Sequence, residues 1–336
     1  MGVIKDKMNS ILLAHGSGGK LQSDLLEKVI LKYIKNPIIN LLEDSAYLSV
    51  SKSKIAFTTD SYVVNPLFFP GGNIGKLAVC GTVNDLLCIG AKPLYLSLGL
   101  IIEEGFDYER FEKIIASIAS EAKNAGVKIV CGDTKVVEHG KGDGIYINTA
   151  GIGEIKHYFS PQKIEAGDFI IVTGNIGDHG IALLSERQKL KFKTPIISDV
   201  ANLTGIADIL FKTSGIHCMR DPTRGGLGGI LKEIALKSNI EMEINENSIP
   251  INPGVNSICE ILGIDPLYLA NEGKFVIFSK EEKVVSLLRR TKLGKNTAVI
   301  GKVVKKKQKG EVILLTKTGG KRIIDIPRGE LLPRIC

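Results

Sequence analysis

The stretch TTDSYVVNPLFFPGGNIGKLAVCGTVNDLLCIGAKPLYLSLGL, residues 58–100, sets the pattern for the whole chain. It opens on the end of a β-patterned run, KIAFTTD (54–60), and closes within the apolar run PLYLSLGLII (93–102). Between them, IGKLAVCGTVNDLLCIG (74–90) is apolar at i, i+3 and i+4, which predicts a helix. The strand ends in Asp60, and the helix carries a second carboxylate, Asp85, on a face shared with Leu86, Leu87 and Ile89. An unpartnered carboxylate buried there would be costly, so Asp85 asks for a partner.

The same alternation runs through the rest of the chain. Helical periodicity recurs in 19–34, 108–126 and 223–238, and strand-like segments in 127–133, 144–155 and 168–174. This predicts a mixed α/β fold. The polar connector KHYFSPQKIEAGD (156–168) interrupts the pattern, which then begins afresh. The expected division is an N-terminal α/β domain over 1–155, a C-terminal α/β domain over 156–326 and a tail over 327–336. The last sixty residues read as a helix, then strands at 297–304, 311–315 and 321–324. KVVKKKQKG (302–310) reads as a solvated hairpin turn between the first two of these strands. Pro327 and Pro333 favour an extended tail.

At 336 residues and 44% hydrophobic content the chain buries an ample core without staples. No apolar stretch reaches the ~20 residues that span a bilayer, and no signal segment is evident, so a cytoplasmic protein is expected, without a membrane partner. The six cysteines lie far apart with no zinc or redox spacing. Cys80, Cys88, Cys131 and Cys218 are expected to pack as small hydrophobes. The net charge of +8 is concentrated at the C-terminal end, where 280–336 holds 16 Lys/Arg against 5 Asp/Glu. Trp is absent and the lysines are not interleaved with aromatics, so nucleic acid is not an expected partner.

Three glycine loops open helices: HGSGGK (15–20), GNIGDHG (174–180) and RGGLGG (224–229). Such loops can turn N–H groups toward a phosphate at the positive end of a helix, or can simply cap the helix. None is a Walker A loop. Aspartates stand at element ends: Asp44, Asp60, Asp133 and Asp221. Carboxylates emerging together at one sheet edge can share a hard cation, although each alone can equally be a turn former. Lys135 follows Asp133, and Glu272 in LANEGKF precedes a strand. No serine has the flanking glycines of a nucleophile elbow, and H-E-x-x-H is absent.

These motifs, in this order, resemble the HypE family, the carbamoyl dehydratases of hydrogenase maturation. The similarity rests on HGSGGK, residues 58–100, VCGDTKVV, GNIGDHGIALLSERQKL, MRDPTRGGL, NEGK and terminal PRIC, and so covers essentially the whole chain. The family belongs to the superfamily of aminoimidazole ribonucleotide synthetase, selenophosphate synthetase and thiamine-monophosphate kinase. The resemblance implies that superfamily's two-domain fold, a homodimer formed through N-terminal strands, and ATP with Mg2+ near the domain junction. It places Asp44, Asp60, Asp85 and Asp221 as Mg2+ ligands. It places Gly16, Ser17, Gly18, Gly19, Lys20, Thr82, Asp133, Asn175, Arg224, Gly225 and Gly226 around the nucleotide. Asn73 stands where the family usually has Asp and receives no role. Asp178 and His179 match the family pattern, again without an assigned role.

The resemblance also explains why the chain ends in a thiol, Cys336. HypE proteins carry a carbamoyl group on that cysteine, placed there by the carbamoyltransferase HypF. They dehydrate it with ATP to a thiocyanate and pass cyanide to iron on the HypC–HypD complex. Glu272 and Lys135 are then the expected catalytic partners of Cys336, Lys135 holding a phosphate or tuning Glu272 by charge. Ten residues from Pro327 extend at most ~33–36 Å, enough to reach both an internal site and an external partner. A sibling ATP-using enzyme and a non-catalytic nucleotide-binding scaffold are the alternatives.

Overall fold

The computed structural model describes residues 10–12, 15, 24–37, 54–189, 196–326, 332 and 334–336. Its first half is a four-stranded sheet in the order β1-β6-β4-β5, from β1 (Ile55–Tyr62), β4 (Ala91–Glu103), β5 (Lys128–Val137) and β6 (Ile145–Ile155). A two-stranded hairpin, β2 (Phe68–Phe69) with β3 (Gly72–Asn73), leads from β1 toward the first long helix. A short helix, α1 (Leu31–Ile34), continues a π turn over Leu26–Ile30.

Helices α2 (Ile74–Cys88) and α3 (Tyr108–Ala125) are the long helices that the sequence predicts. Helix α2 packs on β1, β4 and β6, and against α3. It lies close to its neighbours because glycine removes side chains at the contact. A Cβ on Gly75 would stand 2.5 Å from the Ile114 carbonyl of α3. Asn73 caps the helix, its Oδ1 accepting from the Gly75 and Lys76 amides at 2.9 and 3.1 Å.

Residues on β1, β4 and β6 alternate between the two faces. The even residues of β1, the even residues of β4 from Leu96 onward and the odd residues of β6 point toward α2, and Ala56, Tyr62, Leu96, Leu98, Leu100, Ile147 and Thr149 are buried there. The opposite face leaves Phe57 68% exposed and Ile55 and Ile101 about half exposed. Cys131, expected to pack in the core, is instead exposed on β5; the sheet edge leaves it without a covering element. Cys80, Cys88 and Cys218 are buried as expected.

The second half is a seven-stranded sheet in the order β13-β12-β9-β11-β7-β10-β8. Its strands are β7 (Phe169–Val172), β8 (Ile216–Arg220), β9 (Ile240–Asn245), β10 (Val276–Ser279), β11 (Ala298–Lys306), β12 (Glu311–Leu315) and β13 (Lys321–Ile324). Helices α4 (Asp178–Arg187), α5 (Thr204–Phe211), α6 (Gly226–Ser238), α7 (Pro253–Leu262) and α8 (Val284–Leu288) surround it. The lysine-rich segment is not a hairpin turn. Its first five residues are the end of β11 and β12 follows it, but β9 lies between the two strands, antiparallel to β11 and parallel to β12. The basic run is drawn over the end of β9, where Lys305 and Lys307 reach Glu241 at 3.7 and 3.0 Å.

One continuous apolar cluster includes Leu77, Val83 and Ile114 from the first half with Ile171, Leu183, Val200 and Phe275 from the second. Asn84 of α2 stitches the halves together. Its side chain donates to the Ala201 carbonyl at 3.1 Å and accepts from the Leu203 amide at 2.9 Å. Among the described residues, no helix is long and apolar enough to cross a membrane.

Candidate active site

At the junction of the halves, β1, α2 and the loops after β8 and before β10 bring Asp60, Asp85, Asp221 and Glu272 into one electrostatic neighbourhood. Each has its carboxyl held above the ordinary range, by burial first. For Asp85, pushed up to about 7, the next causes are the Asp221 and Asp60 charges. For Glu272 they are Asp221, Asp199, Asp60 and Asp85. Thr58 donates to Asp85 at 2.9 Å and Tyr62 to Asp60 at 3.2 Å, so both carboxylates have the partners their burial demands. The guanidinium of Arg220 opposes the shifts of Asp85 and Asp221, and that of Arg224 opposes the shift of Asp60.

A cleft of about 550 Å³ opens beside Asp85 and Asp221 and is also lined by Thr58, Cys88, Ser160 and Arg220. On its floor the Cys88 thiol lies 3.5 Å from Asp221. Among the described residues no three metal-binding side chains already converge on one point. The donors that do gather are hard carboxylate oxygens whose mutual repulsion a cation would relieve. That suits Mg2+, which takes one or two carboxylates together with phosphate oxygens and water.

The glycine loops are set by backbone geometry. Gly225 and Gly226, at the start of α6, have φ of +78° and +61°. A Cβ on Gly226 would stand 2.6 Å from the Leu267 and Leu269 carbonyls, so no other residue fits there. Asn271, fully buried, ties three site loops together. Its Oδ1 accepts from Gly177 at 2.7 Å, and its Nδ2 donates to the Pro222 and Leu269 carbonyls at 3.0 Å each. The NEGK motif contains Asn271, but two of its three partners, Gly177 and Pro222, come from distant segments. Beside it, Lys274 pairs with buried Asp199 at 3.1 Å, and Asp199 accepts the Glu272 amide at 3.1 Å. Among the described residues, one carboxylate oxygen of Glu272 has no hydrogen-bond partner.

Several expected residues stand elsewhere. Thr82 is fully buried; its hydroxyl is 2.5 Å from Thr149 and 3.3 Å from the Tyr62 hydroxyl, so it supports the Tyr62–Asp60 contact from behind. Asp133 and Lys135 pair with each other at 3.0 Å on β5. They lie opposite Gly99 and Ile101, on the sheet face away from α2, whereas Asp60 lies opposite Thr149 on the α2 face. Three strand spacings, about 14 Å, add to that separation. Lys135 therefore does not tune Glu272 within one chain. Asn175 accepts from Asn296 at 3.1 Å in the loop before α4. Gly16, Ser17, Gly18, Gly19, Lys20 and Asp44 lie outside the described residues.

The terminal residues run alongside the segment that follows β1. The Val63 amide donates to the Cys336 carbonyl at 3.1 Å and the Asn65 amide to the Arg334 carbonyl at 3.2 Å. Ile335 is buried, 5% exposed, and Leu332 and Cys336 pack against the same core. Val63 is three residues beyond Asp60, roughly 10 Å of extended chain.

Two family models match the chain: the N-terminal domain of AIR synthase related proteins over residues 42–155 and the C-terminal domain over 165–314. Carbamoyl dehydratase HypE of Azotobacter vinelandii is 43% identical to it, the match spanning 97% of each chain. A crystal structure of hydrogenase maturation protein HypE in complex with ATP superposes with a TM-score of 0.93, at 43% identity over 97% of this chain and 99% of that one. The HypE chain of a HypE–HypF complex gives a TM-score of 0.79, at 47% identity over 90% and 99%. With two sheets, a carboxylate cluster at their junction and a full-length relation of this closeness, the chain belongs to the HypE family of hydrogenase maturation proteins, within the AIR synthase related superfamily.

Proposed function

We propose that this chain uses ATP to dehydrate a carbamoyl group carried on its own Cys336, making a protein thiocyanate that supplies cyanide ligands for the iron of [NiFe] hydrogenase. The observation that carries this reading is the docked C-terminus, with Cys336 hydrogen-bonded through its carbonyl to Val63, a few residues from the carboxylate cluster. The ATP complex of a relative with the same fold supports nucleotide binding by this chain. The HypE–HypF complex supports a carbamoyltransferase as donor partner, and HypC–HypD is the proposed acceptor.

The thiocarbamate oxygen attacks the γ-phosphate, the bond to ADP breaks, and an O-phosphorylated imidate forms. Loss of the nitrogen protons and of phosphate then leaves –S–C≡N. Asp60, Asp85 and Asp221, with Asp44, would hold Mg2+, whose charge offsets that of the phosphates and of the carboxylates. Glu272, in its carboxylate form, takes one nitrogen proton through the oxygen that has no hydrogen-bond partner among the described residues. The start of α6, beyond the turn at Gly225 and Gly226, would offer helix N-terminal amides to phosphate oxygens, with Arg224 beside it and Asn175 on the neighbouring loop.

The exposed sheet face that carries Phe57, Ile55 and Ile101 supports a homodimer, in which a second copy would cover it. Asp133 and Lys135 share that face, so any role they have toward a nucleotide is exercised across the dimer. Three outcomes separate the readings. Hydrolysis of ATP by the carbamoylated chain but not by Cys336→Ala supports this function; hydrolysis that ignores the tail points to a sibling enzyme, and none at all to a scaffold.

A further inference from the structure

The loop after β7 delivers His179, one residue into α4, to the interior of the molecule. The ring is fully buried and stands edge-on to Phe69, ring centroids 5.5 Å apart. Its Nε2 lies 2.9 Å from the Ile335 carbonyl, and its Nδ1 lies 2.7 Å from the Ser198 hydroxyl. A carbonyl only accepts, so Nε2 carries the proton. Burial, the first cause, pushes the imidazole below its ordinary pKa and keeps it neutral. Nδ1 then accepts from Ser198, whose oxygen in turn accepts the Val200 amide at 3.1 Å. The tautomer and orientation of the ring are thus set by the protein body and directed at one atom of the tail.

The other tail contacts explain why that atom matters. The Val63 and Asn65 amides donate to tail carbonyls, but the reverse bonds of an antiparallel pair are replaced. The Val63 carbonyl accepts the Arg334 guanidinium at 2.9 Å, and the Asn65 carbonyl accepts that of Arg187, which also donates to the Arg334 carbonyl. Arg334 has a φ of +54°, which bends the tail out of strand geometry. The tail is therefore seated by half a ladder, and the Ile335 carbonyl, turned inward from it, is taken by His179.

We propose that His179 is a positioning residue for the reaction: its Nε2–H holds the Ile335 carbonyl and so fixes where Cys336 is presented. These contacts are made to main-chain carbonyls, so the same clamp serves the thiol, the carbamoylated and the cyanated forms of the sulfur. Arg187 is the second arm of the clamp. The role in catalysis rests on Cys336 being the carrier; the clamp does not.

Hydrogen exchange of the full-length protein tests the clamp without any turnover, so its failure and that of the proposed function are distinguishable. The Val63 and Asn65 amides report docking directly, because their acceptors are tail carbonyls. In His179→Phe, which keeps bulk but loses the donor, their exchange should speed up roughly threefold to tenfold, the worth of one hydrogen bond. In His179→Gln, whose amide N–H can reach the same carbonyl, it should return toward the wild-type rate. The amides of β4 and β6 should not change in either variant. Unchanged exchange at Val63 and Asn65 in His179→Phe overturns the proposal. Should that variant loosen β4 and β6 as well, Ser198→Ala, which removes only the group orienting the ring, decides: faster exchange confined to the two tail-bonded amides supports the clamp, and no change refutes it.

Discussion

Glu272 is buried with one oxygen unsatisfied and four carboxylates acting on it, an arrangement that costs stability and is explained by proton transfer. Glu272→Gln keeps the shape and removes the base. It should leave ATP binding by calorimetry within about twofold, the scale of a lost neutral contact, while abolishing thiocyanate formation; unchanged turnover would remove Glu272 from the chemistry. Asp178 offers a cleaner titration, since it is no proposed metal ligand. Burial first, then Asp199, raises its pKa to about 6, with Lys274 opposing. An acid whose pKa is higher in the folded state stabilises that state while protonated, and the benefit is lost as pH rises through the folded value. Asp178→Asn should therefore match the wild type near pH 4 and exceed it by up to about 3 kcal/mol near pH 8, less whatever residual solvent screens. A stability difference that does not vary with pH would contradict this. At this level the sequence shows the acidic residues plainly, because carboxylates at element ends are conspicuous. It does not show what His179, Asn271 and Thr82 touch, because hydrogen-bond partners of theirs lie 156, 94 and 67 positions away respectively.

Helix α2 is the element on which the site is built, because it carries Asp85 toward the cleft and Asn84 toward the second half. Its N-cap is Asn73, a position to which the family pattern gave no reading. Asn73→Ala leaves two amides without their acceptor and should cost about 1 kcal/mol in chemical denaturation. Asn73→Asp keeps an acceptor and should cost less; equal losses would show that the cap is not the cause. The long helices are legible because their apolar period is local. The lysine-rich segment departs from its sequence pattern for the opposite reason: β11 and β12 are neighbours in sequence, but β9, some sixty residues earlier, pairs with both. The strand of Lys135 is likewise evident in the sequence, but the face it presents depends on register across β4.

The molecule as a whole joins two sheets through one apolar cluster, places a repelling set of carboxylates at the seam, and lays its own C-terminus across the exit of β1. A terminal thiol seated by main-chain contacts can return to one place after modification elsewhere, which a two-station carrier requires. The most direct measurement is mass spectrometry of the C-terminal peptide after incubation with carbamoyl phosphate, the carbamoyltransferase and ATP. The expected result is carbamoylation of Cys336 followed, only when ATP is present, by loss of one water. A carbamoylated Cys336 that persists while ATP is consumed, or dehydration that proceeds equally well without ATP, would contradict it.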